Sequence, residues 1–350
     1  MTDKTHSGLN IDLGNLCSKD AFAWAKKTFP NRIGKAGASA KSLDGAFSNL
    51  LRFDNQRIGI ASDGIGTKIE LAERTKIYNT LGYDLVAMVV DDLATAGFEP
   101  TNLSNIIDVN QLDRTTINQL MQGLHDAANF CSIAISGGEI AELGNRIGGY
   151  GDGMHFNWCS TAIGILSEKL EAPINGTNVN VGDTVIALQS NGFRSNGFSL
   201  LRKIMQQQFG DDWHDEPYDT EKTWGEILLT PCLIYAPLIT KLTAENLTPH
   251  GIAHITGGGI ADNLSRVLKA KNVGAILDNL FEPLAVMKKV IELGKVEQEA
   301  AYLYWNMGNG MLLIVPEEKV EATLQLADAL QYTAQVAGRI TETAQIKLKQ

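Results

Sequence analysis

The sequence has no close pair of cysteines. Cys17, Cys131, Cys159 and Cys232 are scattered without a C-x-x-C spacing, which excludes a disulfide framework and predicts reduced, structural thiols in a cytoplasmic protein. Positive charge is in deficit. The 30 Lys+Arg against 40 Asp+Glu give a formal net charge of −10, so the broad basic footprint of a nucleic-acid binder is missing. A local basic site or a metal can still hold an anionic ligand. No apolar run reaches the roughly 18 residues of a membrane span, and the opening MTDKTHSGLN has no signal-peptide core, so no membrane partner is expected. Short repeats and low-complexity tails are also absent.

What is present fits a globular protein of ordinary composition, 44% hydrophobic and 20% charged over 350 residues, a length that suggests two domains. The 34 glycines are clustered, as at tight turns and places where backbone approaches a ligand. Strands are expected at Arg57–Ser62, Ser132–Ser136, Ser160–Leu166, Thr184–Gln189, Gly274–Leu277 and Met311–Val315. Helices are expected at Ser18–Lys27, Leu81–Ala96, Thr115–Asn129, Gly197–Gln208, Leu228–Leu242, Ile260–Ala270 and Glu317–Leu330. Their alternation implies an α/β (or α+β) fold. The Pro-, Gly- and Asn-rich stretch Glu171–Asp183 divides the chain into domains 1–170 and 171–350, and GKAGASA at 34–40 has the composition of a flexible lid.

Five stretches carry candidate chemistry. Asp63-Gly64-Ile65-Gly66-Thr67-Lys68 is neither a Walker A loop nor G-x-G-x-x-G, yet its parts suit a polyphosphate. Glycine N–H groups and Lys68 would face phosphate, and Asp63 would hold Mg²⁺. A plain strand-to-helix turn would explain the same residues. Asp84 and Asp91 lie seven apart on one helix face with Asp92 beside them; the group reads either as a solvated acidic face or, given its apolar neighbours, as acids that call for a cation. Ile135-Ser136-Gly137-Gly138-Glu139 ends a strand in two glycines and an acid, a common ligand position in α/β folds. SNGFRSNGFS, 190–199, reads either as turns or as a polar cradle with Arg194 as a phosphate fork. His254 precedes Thr256-Gly257-Gly258-Gly259, which opens a helix whose N-terminus would bind an anion. The glycines at 148–153 specify no chemistry by spacing.

Taken together, SDGIGTK (62–68), the 81–100 run, ISGGEIAE (135–142), GDTVIAL with SNGFRSNGFSLLRKI (182–204), LLTP with IY (228–235), GIAHITGGGIADNLSRVL (251–268) and WNMGNGM (305–311) resemble the aminoimidazole ribonucleotide synthetase, or phosphoribosylformylglycinamidine cyclo-ligase, family. They stand in family order over most of residues 57–316. The resemblance implies two α/β domains, a homodimer whose N-terminal strands form a shared β-barrel, ATP and Mg²⁺, and a small phosphoribosyl substrate. By position it makes Asp63, Asp92 and Glu139 metal–nucleotide ligands, with Gly64, Gly66, Thr67, Lys68 and Gly138 beside the nucleotide. Arg194, Ser195, Asn196 and Gly257–Gly259 become a substrate cradle. Lys68, Asp92 and His254 become catalytic, His254 as proton carrier or oxyanion partner. The reaction implied is ATP-dependent closure of an imidazole ring through a phosphorylated amide.

The chain departs from the family pattern where Asp91 replaces Asn, Ile140 replaces Thr and Arg194 replaces His. It departs again at NIIDVNQLD (105–113) and around 42–50. Arginine cannot shuttle protons near neutral pH. A diverged superfamily enzyme acting on another amide or phosphate acceptor, or a silent nucleotide-binding dimer, are the competing readings. Joint retention of Asp63, Lys68, Asp92 and Glu139 speaks against the last.

Overall fold

The computed structural model describes residues 48–349 throughout, together with 27–36, 38–39 and Leu16, Asp20, Ala23 and Trp24. Cys17, most of the expected first helix and residues 40–47 lie outside the described residues, while most of the expected 34–40 lid is described and contributes β1. Two six-stranded sheets organise the rest. In the first, β1 (Ala38–Ser39), β2 (Asn49–Phe53) and β3 (Gln56–Gly64) are followed by α1 (Ile69–Thr75), α2 (Leu81–Thr95), β4 (Phe98–Val109), α3 (Arg114–Phe130), β5 (Ala134–Glu142) and β6 (Phe156–Leu166), with strand order β1-β2-β3-β6-β4-β5. Only β4 and β5 run parallel.

The second half holds β7 (Thr184–Gln189), α4 (Phe198–Phe209), α5 (Trp224–Leu228), α6 (Ala236–Ala244), β8 (Gly251–His254), α7 (Gly259–Leu268), β9 (Gly274–Leu277), α8 (Ala285–Gly294), α9 (Gln298–Tyr304), β10 (Asn309–Val315), α10 (Val320–Ala329), β11 (Ala334–Thr341) and β12 (Ile346–Leu348). Its sheet order is β12-β9-β11-β7-β10-β8. Strand β10 is buried along its whole length, as a strand paired on both edges, with β7 and β8, within a sheet covered on both faces.

Helix α2 joins the halves. It packs on β3, β4 and β6 of the first sheet and on α6 and β8 of the second half. It is buried on nearly every face, acids included. The inner face of the first sheet is covered this way. Its outer face leaves Phe53, Ile106, Ile163 and Ile165 exposed.

Three expectations change. The helix expected over Leu228–Leu242 begins only at Ala236, α5 having ended at Leu228: between them Pro231 has no N–H to give, and the Cys232 and Tyr235 N–H groups go to Asp84 and Asp91 on α2. The Gly137-Gly138-Glu139 stretch does not end a strand but lies within β5, which starts later than expected and runs to Glu142. The twelve-residue strand β4 was unanticipated. Pro100 masks its alternation, and the register shifts between Pro100 and Asn102, the kind of irregularity that admits proline.

Candidate functional site

Three acids on α2 set the geometry. Asp84 receives Lys68: Nζ donates to Oδ1 at 2.9 Å and stands 2.8 Å from Oδ2, and it also donates to the Thr230 carbonyl at 2.8 Å. Cys232 N–H donates to the same Asp84 oxygen at 3.0 Å. One turn pair further on, Asp91 Oδ1 accepts the N–H groups of Tyr235 (2.7 Å) and Ala236 (2.9 Å), and Oδ2 accepts Arg194 Nη2 at 3.1 Å. The cation that the seven-residue spacing called for is therefore supplied twice by the chain itself, as Lys68 and Arg194. Both pairs tie α2 to segment 229–236.

Asp92 turns the other way and meets His254, the last residue of β8, whose Nδ1 lies 2.8 Å from Asp92 Oδ1. The second ring nitrogen, Nε2, lies 2.7 Å from Arg194 Nη2. A guanidinium can only donate, so Nε2 accepts and Nδ1 carries the hydrogen given to Asp92. Burial, with Arg194 adding to it, pushes His254 down to about 3, so the ring is neutral. Burial pushes the Asp92 carboxyl up to about 8 against the pull of Arg194 and Arg266.

Asp63, at the end of β3, faces this group. Its carboxyl is raised by burial, with Asp92 adding to the rise and the Gly64 N–H and His254 opposing it. Its Oδ1 accepts that Gly64 N–H at 2.7 Å. The chain then turns through Gly66 at φ +72°, where a Cβ would meet open space, so the backbone angle and not crowding asks for glycine. Thr67 Oγ1 reaches Ser199 Oγ at 3.3 Å, which brings the SNG segment alongside. A Cβ on Gly257 would lie 3.7 Å from Asn196 Nδ2, so the triple-glycine turn stands against the SNG segment. Gly258 and Gly259 have φ of 92° and 68°, and a Cβ on Gly259 would run into the Tyr302 carbonyl. Asn263 Nδ2 gathers the carbonyls of Thr256, Gly257 and Gly259 at 3.3, 3.3 and 2.7 Å. The start of α7, whose first N–H groups have no partners within the helix, is thereby held beside that segment.

The structure thus brings Asp63, Asp92, His254, Thr67, Asn196 and Gly257 together, and sets other expected residues apart. Lys68 is fully buried, and its amine is committed to Asp84 and Thr230, so it is not an exposed phosphate contact. Arg194 is 2% exposed, and its Nη1 donates to the Leu233 carbonyl at 2.7 Å, so its guanidinium turns inward and is no open fork. His254 has both ring nitrogens engaged and is no free proton carrier. Ser195 is buried, its Oγ 3.7 Å from Cys232 Sγ.

Glu139 lies three strands away, in the row Gly64–Cys159–Ile106–Glu139. Ile106, 52% exposed, puts that row on the outer face. Asp63 belongs to the row of Ser160, Asn105 and Gly138, whose Ser160 and Asn105 are buried on the inner face. Within the described residues of one chain, no three His, Cys, Asp or Glu side chains form a metal cage.

Two buried contributors escaped the sequence reading. Asn105 takes Trp158 Nε1–H at 2.9 Å and donates to the Gly137 carbonyl at 3.4 Å, holding the Gly-Gly stretch to β4. Glu73 accepts the Tyr150 N–H at 2.8 Å and lies 3.2 Å from His155 Nδ1, which pins the glycine-rich 148–153 loop. An acid in an otherwise apolar helix face was the available signal for Glu73. Asn105 gave none.

Family models described as AIR synthase related protein match the chain in two parts, the N-terminal domain over residues 45–166 and the C-terminal domain over 180–349. A phosphoribosylformylglycinamidine cyclo-ligase of Thermococcus kodakarensis is 35% identical over 326 residues, 93% of this chain and 92% of the relative. The chain belongs to the phosphoribosylformylglycinamidine cyclo-ligase family. A cyclo-ligase of Gloeothece citriformis is 37% identical over 282 residues, 80% of each chain. Among solved structures, thiamine-monophosphate kinase from Stenotrophomonas maltophilia superposes with a TM-score of 0.64 at 16% identity, covering 92% of this chain and 94% of that one, a likeness of fold alone. The two-domain mixed α/β architecture is the one the resemblance implied.

Proposed function

We propose that this chain closes the imidazole ring of aminoimidazole ribonucleotide from formylglycinamidine ribonucleotide at the expense of ATP. The observation that carries the reading is the convergence of Asp63, Asp92, the Gly64–Thr67 turn, Asn196 and the triple-glycine helix start from both halves of a chain of this family. Asp63 and Asp92 offer carboxylate oxygens, the donors Mg²⁺ takes, and Mg²⁺ completes its shell with phosphate oxygens and water, so two acids fit it without a protein cage. Mg²⁺ held there would neutralise charge on the nucleotide's polyphosphate. Gly64, Gly66 and Thr67 lie beside the nucleotide in this reading. Asn196 and the N-terminus of α7 bind and orient the substrate's phosphoribosyl group. His254 keeps Asp92 aimed into the site.

The formyl amide oxygen of the substrate is a poor leaving group. Transfer of the γ-phosphoryl group of ATP to that oxygen gives an iminophosphate and ADP. A nitrogen of the same molecule then attacks the formyl carbon, phosphate leaves with the former amide oxygen, and the ring closes. The chain's contribution is alignment of acceptor oxygen and phosphoryl group and folding of the substrate onto itself.

The exposed Phe53, Ile106, Ile163 and Ile165 face pairs with the same face of a second copy, giving a homodimer. Glu139 is on that face, so it reaches a nucleotide site across the interface. Purified protein given Mg²⁺, ATP and formylglycinamidine ribonucleotide should form aminoimidazole ribonucleotide. ATP binding with no imidazole formed would overturn the reading in favour of a different acceptor.

A further inference from the structure

Arg194 is the one buried residue of the site held in a conformation that side chains avoid. Its φ is +61°, a left-handed geometry that is strained for a non-glycine residue and persists only where the surroundings over-determine it. The surroundings here are specific. Nη1 donates to Leu233 O at 2.7 Å, Nη2 donates to Asp91 Oδ2 at 3.1 Å and faces His254 Nε2 at 2.7 Å, and the guanidinium stands 5.1 Å from the Tyr235 ring centre. Both charged partners are out of water, with side chains 2% and 0% accessible.

We infer that Arg194, charge-balanced by Asp91, is a positioning residue that fixes His254 as its Nδ1–H tautomer and so aims that hydrogen at Asp92. The logic needs no titration. A donor locked against Nε2 forbids a hydrogen there, whatever the protonation state of Asp92. The remaining ring hydrogen must sit on Nδ1, 2.8 Å from Asp92 Oδ1. Asp91 makes the arrangement possible, because an unpaired buried guanidinium is not tolerated. The inference rests on the proposed function only for the consequence that an aimed Asp92 serves turnover.

The test separates tautomer from stability and from activity. In protein labelled with ¹⁵N at histidine, proton–nitrogen correlation spectra of the ligand-free full chain should show one of the six histidines, assigned to His254 by its loss in His254→Gln, with the hydrogen on Nδ1. Arg194→Gln/Asp91→Asn removes both charges but keeps an N–H donor, and should keep that pattern. Arg194→Met/Asp91→Asn removes the donor as well, and should move His254 to the Nε2–H form or a mixture while thermal unfolding stays close to that of the Gln/Asn pair. With the Met/Asn pair, kcat for imidazole formation should fall at least about tenfold more than with the Gln/Asn pair, KM changing less than kcat.

An unchanged Nδ1–H signature in a folded Arg194→Met/Asp91→Asn protein would overturn the inference. So would a tautomer shift equal in both pairs. Because the spectra are recorded without substrate, they read the tautomer even if the wild-type chain forms no imidazole, an outcome that would instead sink the proposed function.

Discussion

At the scale of single residues, the site is a set of commitments already made. The Asp63 carboxyl is partly desolvated, though the residue keeps accessible surface, and it holds only its neighbour's N–H, which leaves it available to the proposed metal–nucleotide. Asp63→Asn should lower ATP turnover by about 100-fold or more, with the thermal unfolding midpoint unchanged; turnover near wild type would remove Asp63 from the metal role. Asp92 carries a pH signature. Its folded value near 8 lies above the roughly 3.9 of an unfolded chain, so between those limits the folded state binds the extra proton and this group's contribution to stability falls as pH rises. In metal-free protein, unfolding measured from pH 5 to 8 should show Asp92→Asn gaining on wild type as pH increases, and a difference that stays flat would contradict the burial of this carboxyl. Much of this was legible in the sequence as residue types: Asp63, Asp92, His254, Asn196 and the glycines do converge. What was not legible was direction. Lys68 and Arg194 look like phosphate ligands because they are cations beside glycines, but which way a long side chain points depends on where acids 16 and 103 residues away are placed by the fold.

At the scale of elements, α2 does more than carry a ligand. Its Asp84 and Asp91 are the points at which the second half docks, each balanced by one cation and by N–H groups of segment 229–236. Lys68→Ala leaves Asp84 buried and uncompensated, and should destabilise the chain by about 3–5 kcal/mol in urea unfolding. Lys68→Met combined with Asp84→Asn should cost clearly less than the sum of the single changes. A Lys68→Ala protein of wild-type stability would contradict the docking role and return the lysine to the nucleotide. The helix itself was readable from its apolar spacing. The break in 228–242 was half readable: Pro231 is a visible breaker, but the claim of α2 on the Cys232 and Tyr235 N–H groups is tertiary. Likewise β4 hides behind Pro100, which a strand tolerates only where its register slips.

At the scale of the whole molecule, two sheets meet through one buried helix, and the outer face of the first sheet leaves Phe53, Ile106, Ile163 and Ile165 exposed. If the proposed homodimer forms through that face, the wild-type chain should sediment as a dimer and Ile163→Asp as a monomer, whereas a monomeric wild type would contradict the pairing. Mixed subunits test the shared site. Refolded together in equal amounts, inactive Asp63→Asn and Glu139→Gln chains should recover roughly a quarter of wild-type activity, since half the dimers then hold one intact site of two. No recovery would confine each site to one chain. The central claim, ring closure through a phosphorylated amide, is tested most directly by isotope transfer. Substrate carrying ¹⁸O in its formyl group is turned over with Mg²⁺ and ATP, and the released phosphate is weighed. The account predicts one labelled phosphate for each ADP and each imidazole formed; phosphate without label, or ADP released with no imidazole, would contradict it.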